Sequence, residues 1–150
     1  MNIIIKRFNK WDEGTKRKLR HATFVNGFIR KYLLVSPNGY SFVAFCDTQI
    51  MGWAYNFAIG NKNLFNIFVN PRFRNRGVAT KLIELGVRKL EKIHVGHHNK
   101  ASYSLFKKMK RKYPKNIIVL DWDKHWERMA KKIVLIFGKR FSFYHIMMRL

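Results

Sequence analysis

Arg74-Asn75-Arg76-Gly77-Val78-Ala79 constrains this chain more than any other stretch. The mostly apolar run Phe65 to Val69 precedes it, Pro71 lies between, and a helix-patterned segment follows. The pattern predicts a strand, a short turn rich in backbone donors and a helix N-terminus. Successive peptide N–H groups in such a turn, with the helix dipole behind them, form a cradle for a diphosphate. Gly77 lets the backbone approach a ligand closely, and the small Ala79 lets the helix start against the strand. The expected ligand is a phosphorylated cofactor. A strand, turn and helix with one glycine is also a common piece of ordinary α/β architecture.

The spacing differs from the usual nucleotide loops. There is no G-x-x-x-x-G-K-[ST], and Arg74 to Ala79 lacks the three-glycine dinucleotide pattern. After the turn, Ala79, Ile83, Val87 and Leu90 recur at helical spacing with Leu82 at the margin, presenting one apolar stripe to a sheet. Gly86 falls on that stripe, where it lets the helix pack closely on the strands beneath. Ile93 to Gly96 reads as a short strand, and Asn99 to Met109 opens a further helix.

From Val69 through Ala79 the chain resembles the acetyl-CoA signature of the GNAT family of N-acetyltransferases, a strand with V-x-P and then [Q/R]-x-x-G-x-[G/A]. Here these are Val69-Asn70-Pro71 and Arg74-x-x-Gly77-x-Ala79. Asn99 to Met109 is similar to the family's second cofactor segment, with Ser102 in the small-residue place and Phe106 in the tyrosine place. The resemblance spans Tyr40 to Met109 and implies acetyl-CoA as cofactor. It also implies that Arg74, Asn75, Arg76, Gly77, Val78, Ala79 and Thr80 surround the pyrophosphate. The pantetheine would run along the strand at Ile67, Phe68 and Val69, with Asn99, Ser102 and Phe106 in the second segment. Asn99 is equally suited to an ordinary helix cap.

Along the chain, Asn2 to Phe8 is a candidate first strand, and Asp12-Glu13 before Thr15 offers a helix start in a region running to Tyr32. Ser36-Pro37-Asn38-Gly39 is a turn. Tyr40 to Cys46 and Gln49 to Ala58 read as a hairpin around Asp47-Thr48, followed by a turn at Gly60-Asn61 and the strand Leu64 to Val69. Past Pro114, Asn116 to Leu120 reads as a strand. Trp122, Trp126, Met129, Ala130 and Ile133 lie at helical spacing, Lys132 to Phe137 fits helix or strand, and Phe141 to Met148 is a candidate last strand. The expected fold is α/β (α+β): a mixed, mostly antiparallel sheet of six or seven strands with helices on both faces, in one domain over residues 1–150.

An apolar share of 47% with 13 Phe supplies a core, so disorder is not expected. The lone Cys46 cannot form an internal disulfide, which fits a reducing cytoplasm and excludes a cysteine-rich zinc site; no metal is expected. The longest aliphatic or aromatic run, Ile133 to Phe137, is far short of the roughly 18 apolar residues of a spanning helix. The N-terminal charges follow a very short apolar patch, unlike a signal peptide, so no membrane association is expected. A monomer or homodimer is the expected state.

Against 31 Lys and Arg stand only 8 Asp and Glu, a net charge of +23. Coenzyme A needs only a handful of cations, so the excess implies a nucleic acid or an acidic partner nearby. A generally lysine-rich proteome would give a similar excess. Lys107, Lys108, Lys110, Arg111 and Lys112 form one cluster, and Lys16, Arg17, Lys18 and Arg20 another.

Acyl transfer from a thioester to an amine needs a base for the amine and a thiolate able to leave. The strand Leu64 to Val69 holds Asn66 and no acid, and Phe106 replaces the tyrosine that in the family protonates the sulfur. Tyr103, one helical turn earlier, is a candidate substitute. His97 and His98, at the end of a strand, are candidate bases with pKa values near neutrality, and Asp121 and Asp123 are further candidates. The expected activity is transfer of an acetyl group to a primary amine carried on or near a polyanion. Two alternatives keep the fold without turnover, as a basic nucleic-acid-binding protein or as a structural component of an assembly.

Overall fold

A computed structural model describes residues 1–22, 39–59, 61–96 and 100–120. All the elements below lie within a unit spanning Met1–Val119. In chain order they are β1 (Asn2–Arg7), α1 (Glu13–Ala22), β2 (Tyr40–Cys46), β3 (Gln49–Ile59), β4 (Lys62–Val69), α2 (Val78–Leu90), β5 (Ile93–Val95), α3 (Lys100–Lys112) and β6 (Ile117–Val119). The six strands form one sheet in sequence order. Pairing is antiparallel from β1 to β4 and parallel from β4 through β6.

The change of sense follows from the connections. Short turns such as Asp47-Thr48 can only return a strand beside its predecessor, and Asp47 takes the positive φ of 51° that this turn needs. The parallel strands need crossovers, which α2 and α3 supply. The hairpins, the sheet and both helices over residues 78–112 agree with the sequence reading. The expected helical region beyond Ala22, the helix or strand over residues 122–137 and the last strand at 141–148 lie outside the described residues.

Alternation along the strands divides the sheet into two faces. On one, Phe42, Ala44, Ala54 and Phe65 pack with Val78, Leu82, Ile83 and Val87 of α2 and with Phe106 and Met109 of α3. The Phe42 and Phe65 rings meet edge to face at 5.4 Å. The helix stripe is rotated from the expected one. Leu82 is fully buried rather than marginal, and Ala79 and Leu90 are only half-buried, because the helix begins at Val78, itself buried.

Gly86 does what its place on the stripe predicts. A Cβ there would lie 2.5 Å from Cζ of Phe65, so the absent side chain is the space the ring fills. Gly86→Ala is therefore expected to lower stability. Overpacking of about 1–3 kcal/mol outweighs the ~1 kcal/mol that alanine adds through helix propensity. A urea denaturation midpoint at or above that of the wild type would show that the ring has room to move.

Candidate active site

Leu64 and His94 are the one registered pair between β4 and β5. Beyond them β4 continues to Val69, paired on its other side with β3 through Trp53↔Phe68 and Gly52↔Val69. β5 ends at Val95 and turns its pairing toward β6. The two parallel strands thus share one registered pair and β4 runs on without a registered partner on this side, a wedge in the pairing that is closed at Leu64 and His94 and open toward Val69.

The open end leads to the turn singled out in the sequence. Asn70 N–H donates to the Met51 carbonyl (2.9 Å), and the Asn70 side chain accepts from Arg72 N–H (3.2 Å). Phe73 N–H donates to the Asn70 carbonyl (2.8 Å) and Arg74 N–H to Pro71 (3.3 Å), so the chain after β4 is tied into a short helical turn. Arg74 Nε reaches back to the Val69 carbonyl at 3.4 Å, and the Arg76 guanidinium stacks 5.7 Å from the Phe73 ring centroid. Asn75 and Gly77 have φ of 60° and 75°. These left-handed residues reverse the backbone into α2, and open space surrounds the position of a Gly77 Cβ.

The first intrahelical bond of α2 runs from Lys81 N–H to the Gly77 carbonyl. Ahead of it, the N–H groups of Gly77, Val78, Ala79 and Thr80 have no carbonyl one turn earlier to serve. The cap has no side-chain hydrogen bond, and the first turn has no acidic residue. Donors outside the intrahelical ladder, the positive end of the helix dipole and the absence of a competing carboxylate make this end fit to receive an anion. A pyrophosphate meets those requirements, so the residues present suit coenzyme A.

Sequence reasoning missed Gly52. A Cβ at this residue would lie 2.7 Å from the Phe68 carbonyl oxygen and 3.2 Å from both Val69 Cα and Val78 Cγ1. Its bare backbone is what lets β3, the end of β4 and the start of α2 meet. The close approach assigned to Ala79 in the sequence is made instead by Val78 over Gly52, with Ala79 half-buried beside it.

Phe68, Val69 and Thr80 are half-buried at the wedge and helix start, and Arg74, Asn75, Arg76 and Gly77 are exposed around the turn. On α3, Ser102 is half-buried, while Phe106 is 5% exposed and part of the core. Tyr103 is 44% exposed with Lys107 Nζ 5.7 Å from its ring centroid, about 60° round the helix from the buried Phe106. His97, His98 and Asn99 lie outside the described residues, as do Asp121 and Asp123.

The cationic clusters are partly engaged. Lys110 Nζ donates to the Pro114 carbonyl at 2.5 Å, Lys112 Nζ meets Glu84 Oε1 at 2.6 Å, and Lys16 Nζ meets Glu13 Oε1 at 2.7 Å. Arg17, Lys18, Lys107, Lys108 and Arg111 are exposed, and the side chain of Arg20 is not among those described. No group of three or more His, Cys, Asp or Glu residues able to hold a metal occurs among the described residues. No described helix is long and apolar enough to cross a membrane.

A mixed sheet split between two parallel strands, with a helix N-terminus at the mouth of the split, defines an acyl-CoA transferase class of fold. The model of the Acetyltransferase (GNAT) family matches residues 5–110, and the chain belongs to that family. Its class of activity is N-acetyl transfer to an amine, with acetyl-CoA as cofactor. An aminoglycoside acetyltransferase from an uncultured soil metagenomic sample, crystallised with trehalose, shares the fold at a TM-score of 0.50 and 20% identity, over 75% of this chain and 86% of that one. PaiA N-acetyltransferase from Thermoplasma acidophilum in complex with coenzyme A aligns at 0.48 and 13% identity, over 72% and 88%. Campylobacter jejuni N-acetyltransferase PseH in complex with acetyl coenzyme A aligns at 0.47 and 15%, over 75% and 87%. No curated protein matches the chain.

The Glu84–Lys112 pair joins α2 to α3, the two helices that flank the wedge strands. The hydrogen bond from Lys112 holds the Glu84 carboxyl below its ordinary value of 4.5, and the same bond raises Lys112. A carboxylate with a depressed folded pKa stabilises the fold above its unfolded pKa and loses that contribution as the pH falls through the folded one. The contribution is small because Lys112 is exposed. Glu84→Gln is expected to flatten the fall in denaturation midpoint below pH 4.5, which urea titrations at several pH values would measure.

Proposed function

We propose that this chain uses acetyl-CoA to acetylate a primary amine, and that the amine is carried on or near a nucleic acid or another polyanion. The observation that carries the first part is the single registered pair between β4 and β5, with the donors of α2 at the open end of the wedge. In this reading the N–H groups of Gly77, Val78, Ala79 and Thr80 hold the pyrophosphate. Arg74 and Arg76 add positive charge and Asn75 and Arg76 backbone donors at the mouth, and the main chain at Phe68 and Val69 lines the pantetheine. Ser102 flanks the cofactor from α3, and Phe106 supports that helix from the core. Bound there, the cofactor supplies an activated acetyl group as a thioester.

The second part rests on charge. Exposed Lys107, Lys108 and Arg111 line one helix and Arg17 and Lys18 another. Among the described residues the two carboxylates on helices, Glu13 and Glu84, are each paired with a lysine. A polyamine would be repelled by such a surface, whereas an amine attached to RNA, DNA or an acidic protein would be concentrated.

One observation favours a second reading, a GNAT-fold binding protein without turnover. Phe106 brings no hydroxyl to the tyrosine place, and its ring is committed to the core. Loss of a proton donor is tolerable for a thiol leaving group, whose ordinary pKa is about 8.5. Release of thiol from acetyl-CoA in the presence of amines separates the two readings.

Isothermal titration calorimetry with acetyl-CoA tests the cradle directly. The wild type is expected to bind at about micromolar Kd, corresponding to ~8 kcal/mol, and Gly77→Glu at least about tenfold more weakly, a change of ~1.4 kcal/mol. Equal binding by the variant would remove α2 from the site. For the polyanion, affinity for a single-stranded RNA is expected to fall steeply with salt, at about 0.7 in log–log slope per phosphate contacted. An affinity independent of salt would refute the electrostatic reading.

A further inference from the structure

The sheet face opposite α2 carries polar groups that the cofactor reading does not use. Register places Trp53 and Tyr55 of β3 beside Phe68 and Asn66 of β4, and Leu64 beside His94 of β5. The neighbours of His94 on its strand, Ile93 and Val95, belong to the α2 core, so His94 projects from the other face. His94 is 6% exposed, Trp53 is fully buried and Tyr55 is 4% exposed. Trp53 Nε1 is a buried donor with no hydrogen-bond partner among the described residues, an expensive state unless a ligand supplies the acceptor.

The place of His94 matters more than its burial. It forms the closed end of the wedge, and an arm entering from the α2 end points its far tip toward that end. None of the described carboxylates is available there. Asp12 accepts from Thr15 N–H, Glu13 and Glu84 hold lysines, Asp47 sits in the β2–β3 turn and Glu91 caps the C-terminus of α2. β4, which offers Asn66 on this face, contributes no acid.

Resting on the acetyltransferase reading above, we infer that His94 is the catalytic base, taking a proton from the acceptor amine at the closed end of the wedge. Its imidazole is the side chain whose ordinary pKa suits that role near neutrality. Tyr55, two strands away and two residues further along, about 12 Å in all, is kept neutral by burial and serves as a donor rather than a base. The amine enters between them over Asn66. His94 accepts one proton from the ammonium and passes it to solvent. The amine nitrogen then bonds to the acetyl carbon at the expense of the carbon–sulfur bond, whose electron pair stays on sulfur, and gives its second proton to that sulfur. Nothing is oxidised or reduced. The other titratable groups on this face of the neighbouring described strands are Tyr55 and, at the start of β4, Lys62.

The test uses the full chain labelled with 15N-histidine, the His94 ring signals being identified by their loss in His94→Gln. The His94 midpoint is expected to be higher with coenzyme A than with acetyl-CoA by roughly one unit, because only the free thiol can pair as thiolate with the imidazolium. Identical midpoints in two complexes whose formation calorimetry confirms would overturn the assignment and leave the acetyltransferase reading standing. Failure of acetyl-CoA to bind at all would overturn both. In thiol-release assays, His94→Gln is expected to lose at least about 100-fold with ethylamine and far less with hydroxylamine, which is largely unprotonated at neutral pH. An equal loss with the two amines, in a variant that still binds acetyl-CoA, would make His94 structural.

Discussion

The whole arrangement depends on β5 leaving β4 after a single registered pair. A strand edge inside a sheet normally has its backbone donors and acceptors satisfied by the next strand, and unmade bonds are costly when buried. Here β5 is only Ile93–Val95, and its three residues are matched one for one to β6. β4 therefore runs past β5 to Val69 with no registered partner on that side, where an extended arm can complete the sheet. Such an arm would gain main-chain hydrogen bonds as an added strand does, which makes the side chains of β4 secondary to its backbone.

Two missing side chains set the seat of α2 on this split sheet. Gly86 admits the Phe65 ring beneath the helix, and Gly52 admits Val78 at its start. Together they fix both the height and the axial position of the helix, so that its first turn is delivered to the end of β4. The left-handed Gly77 then turns the chain into the helix. Core packing and ligand geometry are thus one problem here. A methyl group added beneath the helix would disturb the site as well as the fold.

Much of this was legible in the residues themselves. Tyr40 to Cys46 with Gln49 to Ala58 declares a hairpin around Asp47-Thr48, which the structure forms with its second strand running to Ile59, and Arg74 to Ala79 declares the turn through its glycine and backbone donors. Gly86 was readable because it interrupts an apolar stripe. Gly52 was not, since a glycine in a strand reveals nothing of what crosses above it until the register with Phe68 and the place of Val78 are known. His94 was hidden for a similar reason. It sits between Ile93 and Val95 in a short apolar strand, where a histidine passes for core, and only the parting of β4 and β5 gives its position a meaning. His97 and His98 drew attention instead because they lie at a strand end, and they fall outside the described residues.

α3 separates its two duties cleanly. Phe106 and Met109 hold it to the core, and exposed Lys107, Lys108 and Arg111 stand outside that packing. At these three positions surface charge and folding are nearly independent variables, unlike at Lys112, which is tied to Glu84 of α2. Neutral drift can raise or lower the density of ammonium groups without disturbing the hydrophobic interior. Dissolved ions, by screening the crowded cations from one another, should make the same molecule hardier in brine than in dilute buffer.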